Sequence, residues 1–348
     1  MILQQLSEAI GISGKEDAIR KIILEAIDGH VEDIRIDPMG SITALKRGTG
    51  EDLPRVMIAG HMDEVGFMVT DFGSDGLIQF AKVGGFDDRI LPGLRVKLGE
   101  KLIPGVILWK PIHMGREQKV VEIDDLRIDI GASSKKEAQN KLKIGDRIAF
   151  DSQFMELGET ILRGKAFDDR VGCSLLIDIL QGGPYPVDIL AAFTVQEEVG
   201  LRGARVAAQI LKPDVAIALE GTTANDIPDP MIDFDDEDVV NPACRIGDGP
   251  VLTVMDRSIV VNPRLLDFLR ATAENNDIPY QYKTVAAGGT DAGAIHKSGA
   301  GVPSAVISTP CRYIHAPVSY LSKDDYANVL KLVKSILNDI TFDAFQYA

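Results

Sequence analysis

Runs of apolar residues, each the length of a β-strand, constrain this chain more than any other feature. Val56-Met57-Ile58-Ala59, Ile189 to Val195, Val215 to Leu219 and Val302 to Ser308 are nearly continuous, with little polar alternation. A strand with one wet face alternates apolar and polar side chains, whereas a continuous run is buried on both faces. Helical patterns over Val171 to Leu180 and Ala204 to Leu211 separate these runs. Buried strands alternating with helices predict an α/β sheet covered on both faces. Helices are also predicted at both ends. Ser13-Gly14-Lys15-Glu16 has the capping-box pattern ahead of Ala18, Ile19, Ile22, Ile23 and Ile27. Ser322 can cap a segment in which Tyr326, Val329, Leu330, Val333, Leu337 and Ile340 recur at helical spacing.

The stretch from 70 to 160 reads differently. Its strands are short and broken by Gly and Pro: Leu77 to Phe80, Arg95 to Leu98, Val106 to Trp109 and Arg147 to Phe150, with one helical piece at Lys135 to Leu142. A chain of 348 residues exceeds one ordinary core, since roughly 150 residues per domain is usual. The expected organisation is a discontinuous α/β domain, 1–69 and 161–348, interrupted by a small β-rich domain at 70–160.

Charge and cysteine content exclude several classes. The formal net charge is −15, which argues against nucleic acid, because phosphate binding needs Lys and Arg in excess on one face. The three cysteines, Cys173, Cys244 and Cys311, are far apart and form no C-x-x-C pair. That spacing suits a reducing compartment better than a disulfide framework. Met1 to Leu6 lacks the basic start and long apolar stretch of a signal peptide, and no apolar run could span a bilayer. The expectation is a soluble cytoplasmic protein with no membrane partner.

Several of the apolar runs lead into metal-type side chains. Ile58-Ala59-Gly60 leads to His61 and Asp63, Val195-Gln196 to Glu197 and Glu198, Leu219 to Glu220, and Ser308, after a short loop, to His315. In open α/β sheets ligands bind beyond the carboxyl ends of the strands, so these residues are aimed at one crevice. Asp168-Asp169 opens the helix near Val171. A cap explains one of the two carboxylates but not both. Two His with several carboxylates suit zinc, cobalt or manganese. Two such ions roughly 3.5–4 Å apart can share a bridging water and lower its pKa toward ~7. A spare carboxylate is then needed to move the proton. Glu197-Glu198 can provide one metal ligand and one free base. A metal-bound imidazole also needs an acceptor on its second nitrogen, and Asp63 is placed to be one for His61.

These residues resemble the M42 family of metallo-aminopeptidases, which includes glutamyl and tetrahedral aminopeptidases. The matching blocks are Gly60 to Phe67, Gly164 to Arg170, Val195 to Ala204, Gly288 to Ala292 and Tyr313 to Pro317, in order along essentially the whole chain. The resemblance implies a mixed sheet sandwiched by helices, as in di-zinc exopeptidases, with the insert as a dimerisation domain. It implies that Asp168 bridges two divalent metal ions, with His61 and Glu220 completing one and Glu198 and His315 the other. Glu197 is implied as general base and Asp63 as the residue orienting His61. Gly289 and Asp291 contact the substrate or shape its loop. Hollow dodecamers built from dimers and admitting only short peptides are implied too. Glu220 departs from the family's usual Asp, and one extra methylene keeps the same oxygen ligands. The competing classes are a glycosidase acting on β-glucans, an N-acyl amino acid deacylase and a non-catalytic assembly protein. A glycosidase needs two carboxylates across a sugar and no metal pair. His30, His113, His296, Trp109 and the acidic run Asp233 to Asp238 are read as surface, loop or packing residues.

Overall fold

The computed structural model describes residues 1–108, 122–227 and 242–347. Trp109, His113 and the run Asp233 to Asp238 lie outside the described residues. In chain order come α1 (Ile2–Glu8), α2 (Asp17–Ile27), β1 (Glu32–Ile36), β2 (Ile42–Lys46), β3 (Val56–His61), β4 (Gly66–Phe72), β5 (Ile78–Val83), β6 (Arg95–Leu98) and β7 (Ile103–Ile107). Then follow β8 (Ile128–Asp129), α3 (Lys135–Lys141), β9 (Arg147–Phe150), β10 (Met155–Leu157), β11 (Ile161–Gly164), α4 (Phe167–Gln181), β12 (Ile189–Thr194), α5 (Arg202–Leu211) and β13 (Val215–Thr223). The rest are β14 (Val251–Leu252), α6 (Pro263–Asn275), β15 (Gln281–Tyr282), α7 (Asp291–Ile295), β16 (Ser304–Arg312), β17 (Ser319–Ser322) and α8 (Lys323–Asp339).

One 11-stranded mixed sheet runs β1-β2-β12-β3-β13-β16-β17-β11-β10, with β14 and β15 attached beside β16. Its four central strands, β12, β3, β13 and β16, are parallel. Every residue of β3 and β12 is buried, as the continuous apolar runs require. Alternate residues serve the two faces. Val56, Ile58, Ile189, Ala191, Phe193, Val215 and Ile217 pack with α2, α4 and α8. Met57, Ala59, Leu190, Ala192 and Ala216 pack with α5 and α7. Each Val, Ile, Leu, Met or Phe among them contributes about 1.5–3 kcal/mol on leaving water.

A separate small domain closes β4-β5-β8-β7-β6-β9 into a barrel. Its core is aromatic: Phe67 meets Phe80, Phe86 and Phe150 edge-on, with centroids 5.0–5.5 Å apart. Both expected boundaries shift. The division at 69/70 falls inside β4, and β10, on the insert side of 160/161, pairs with β11 in the large sheet. The pattern at 13–16 is not a capping box. Glu16 turns back to accept from the Gly14 amide at 2.6 Å, and Ser13 Oγ donates to Asp63. Ser322 does cap α8, accepting from the Asp324 amide. Among the described residues no helix is long and apolar enough to cross a membrane.

Candidate metal centre

His61 is the last residue of β3. The register that pairs Ala59 with Ala218 sets His61 level with Glu220 on β13. Glu220 is therefore not beyond the strand end, as its sequence suggested, because β13 continues to Thr223. β16 likewise runs on to Arg312 before His315. A side chain on Gly60 would come within 3.0–3.1 Å of the Gly172 and Cys173 backbone and the Asp169 carboxylate, so β3 and α4 touch there through glycine alone.

The two aspartates at the start of α4 divide their work. Ala166 is left-handed (φ 55), and Asp168 and Asp169 are not yet helical. Asp169 caps the helix, accepting from the Gly172 amide at 2.8 Å, and also accepts from the His61 amide at 3.0 Å. Asp168 is thereby left to face the crevice, its backbone seated against Gly221, where a Cβ would lie 3.1 Å from Asp168 Cα.

Asp168 stands between the histidines. Oδ1 is 3.2 Å from His61 Nε2 and Oδ2 is 3.3 Å from His315 Nε2. Glu220 Oε2 is 3.7 Å from His61 Nε2, and Glu198 Oε1 is 3.5 Å from His315 Nε2. Donor atoms of His61, Asp168 and Glu220 all lie within 4.8 Å of one another, as do those of Asp168, Glu198 and His315. A tetrahedral cation with ligand bonds of ~2.0–2.1 Å separates neighbouring donors by ~3.3 Å, so each set fits a divalent ion. Among the described residues buried Glu198 Oε1 has no hydrogen-bond partner, as suits a metal ligand. Glu197 lies 4.0 Å from His61 and belongs to neither set.

Electrostatics point the same way. Burial pushes the carboxyls of Glu197 and Glu220 well up, and that of Glu198 up to about 7, with neighbouring carboxylates adding to the effect. Burial opposes ionisation of Asp168 too, but bonds from His315 and His61 outweigh it and hold its carboxyl far below the usual range. Burial disfavours charge on both histidines, yet Asp168 and the other acids raise His61 well above normal and His315 to about 9. So many buried acids ionise together only when cations join them.

The surrounding groups include some with no sequence signal. The Asp63 carboxylate accepts from Ser13 Oγ at 2.6 Å and from the amides of Glu197 and Glu198 at 3.0 and 3.2 Å. His61 Nδ1 is nearer the Asp63 backbone carbonyl, at 3.1 Å, than its carboxylate, at 3.5 Å. His315 Nδ1 meets the carbonyl of Gly85, a barrel-domain residue, at 2.7 Å. Asp291 is buried, bonded to Thr194 Oγ1, and burial raises its carboxyl to about 6. Glu197, Glu198, Gly289 and Thr290 line a crevice of about 770 Å³, whose only Lys or Arg among the described residues is Lys283. His30 is exposed and His296 bonds back to Ala292; neither joins the site.

The pattern of the M42 glutamyl aminopeptidase family matches residues 40–332, so the chain belongs to that family and is an aminopeptidase-class hydrolase. An aminopeptidase from the archaeon Desulfurococcus kamchatkensis superposes with TM-score 0.92 at 35% identity, covering 99% of this chain and 96% of the other. A Thermotoga maritima protein described as an endoglucanase gives 0.79 at 38% identity, covering 97% and 96%. The Pyrococcus horikoshii TET1 peptidase, described as able to assemble into a tetrahedron or a large octahedral shell, gives 0.84 at 32%, covering 97% and 99%.

Proposed function

We propose that this chain uses two divalent ions, zinc, cobalt or manganese, to remove the first residue of short peptides. The observation that carries this reading is Asp168, with one oxygen facing each histidine at 3.2 and 3.3 Å. His61, Asp168 and Glu220 would hold one ion, and Asp168, Glu198 and His315 the other. Such a pair supplies Lewis acidity and ionises water near neutral pH. Glu197 stands outside both sets with a carboxyl raised by burial. It takes the proton from the attacking water and passes it to the departing amine. Asp63 holds the Glu197-Glu198 backbone so that one carboxylate ligates while the other stays free. Gly289 and Asp291 shape the substrate side of the crevice.

The shells described for the P. horikoshii relative support assembly of this chain into a large oligomer; dimers formed through the barrel, and a dodecamer of them that admits short peptides, are part of the same proposal. Three buried, unpaired cysteines suit a reducing cytoplasm. The test is hydrolysis of aminoacyl-p-nitroanilides before and after metal stripping, with Zn²⁺, Co²⁺ and Mn²⁺ restored. Activity lost and regained supports the reading. β-Glucan hydrolysis that survives chelation would replace it with the glycosidase class, turnover without a free substrate amine with a deacylase, and a folded but inert protein with a scaffold.

A further inference from the structure

The segment Ala9 to Ser13 lies before the matched region 40–332, yet it touches the segments that carry His61 and Asp168. Gly11 and Glu64 exchange backbone and side-chain bonds: the Glu64 amide donates to the Gly11 carbonyl and the Gly11 amide to Glu64 Oε1, both at 3.0 Å. Lys165 Nζ donates to both Glu64 oxygens at 2.7 Å and to the Ala9 carbonyl at 2.9 Å. Arg170 donates to Glu64 at 3.0 Å, to the carbonyls of Ala9 and Gly11 at 3.1 and 3.4 Å, and to that of Leu6. Ser13 Oγ then reaches the Asp63 carboxylate.

Glu64, Lys165 and Arg170 are 0–3% exposed. Three buried charges are a poor way to gain stability, because well-packed apolar residues do as well or better. What the cluster does provide is a fixed distance. Glu64 follows the His61 loop by a few residues, while Lys165 and Arg170 bracket Asp168. One carboxylate joined to both cations ties those two loops together, and the carbonyls of Leu6, Ala9 and Gly11 take further donors, though Arg170 Nε finds no partner among the described residues.

We infer that Ala9 to Ser13, with Glu64, Lys165 and Arg170, sets the placement of His61 relative to Asp168, and that Ser13 is a positioning residue for the metal pair. This rests on the two-metal reading above. The clearest probe is Ser13→Ala, which removes one hydroxyl and leaves the ionic cluster intact; Glu64→Gln probes the cluster itself. Metal-free wild type and variants are titrated with Co²⁺ by calorimetry, and the visible Co²⁺ spectrum and melting temperature are recorded.

Ser13→Ala is expected to remain folded, to bind Co²⁺ about 10-fold more weakly, to change the Co²⁺ spectrum, and to lose kcat with little change in KM. A lowered melting temperature with unchanged Co²⁺ affinity and spectrum in both variants would overturn the inference and leave the metal reading standing. Wild type that binds no Co²⁺ would overturn both.

Discussion

The large sheet and the barrel use strands in opposite ways. Every position of β3 and β12 is buried, whereas β5 and β7 bury only part of their length. A strand dry on both faces has no room for polar groups along its middle, so they collect at its carboxyl end. His61, Glu197 and Glu198 are there for that reason, while Glu220 lies inside β13, level with His61. The barrel sends polar side chains outward and closes over an aromatic core. Its contribution to the site is main-chain, the Gly85 carbonyl against His315. One region thus supplies chemistry and the other a fixed wall.

The largest expected effect tests the chemical side. Glu197→Gln should lower kcat by about 10²–10⁴-fold while metal analysis still finds two ions; wild-type turnover would take Glu197 out of the reaction. The barrel is probed by Phe67→Ala, which should cost about 3–5 kcal/mol in denaturant unfolding. If the barrel is a wall for His315, this variant should weaken the ion held with Glu198 more than the one held with Glu220. Equal weakening, measured by metal titration, would blur the division.

A smaller effect concerns Glu16, near the seam between the regions. Burial raises its carboxyl from 4.5 to about 7, so the folded chain keeps a proton that the unfolded chain has released. The stability this gives is full below about pH 4.5 and is lost as pH rises through about 7. Glu16→Gln should therefore be more stable than wild type at pH 8, by up to about 3 kcal/mol, and show no such gain at pH 4. The smallest expected effect is on substrate choice. If Lys283, which lines the crevice, meets an acidic first residue, Lys283→Glu should lower the ratio of glutamyl to leucyl p-nitroanilide hydrolysis about fivefold, the scale of one exposed ion pair. An unchanged ratio would leave Lys283 without a part in selection.

Much of the fold was legible because burial on two faces leaves a plain mark, as in Ile189 to Val195. The metal-type residues stood out because they follow such runs. What escaped the sequence was set by contacts across the chain. Ser13 looked like a helix cap because Glu16 follows at the right spacing, but Asp63, distant in sequence, claims its hydroxyl. Gly85 acts through a carbonyl that every residue has. Asp169, not Asp168, caps α4, and only the bend after Ala166 separates the two roles. The boundary at 69/70 divides β4, whose buried Phe67, Val69 and Phe72 all belong to the barrel core.

The candidate ligands 61, 168, 198, 220 and 315 sit on segments far apart in the sequence, brought together by the pairing of β12, β3, β13 and β16 and by the packing of α4 on them. No short stretch of the unfolded chain can present them together, since closing such long loops is slow and entropically costly. An ion captured by such a site is a late arrival in folding, not its nucleus. On the two-metal reading, a folded, metal-free subunit would be a stored form of the enzyme, and the supply of cations would determine how much of it works.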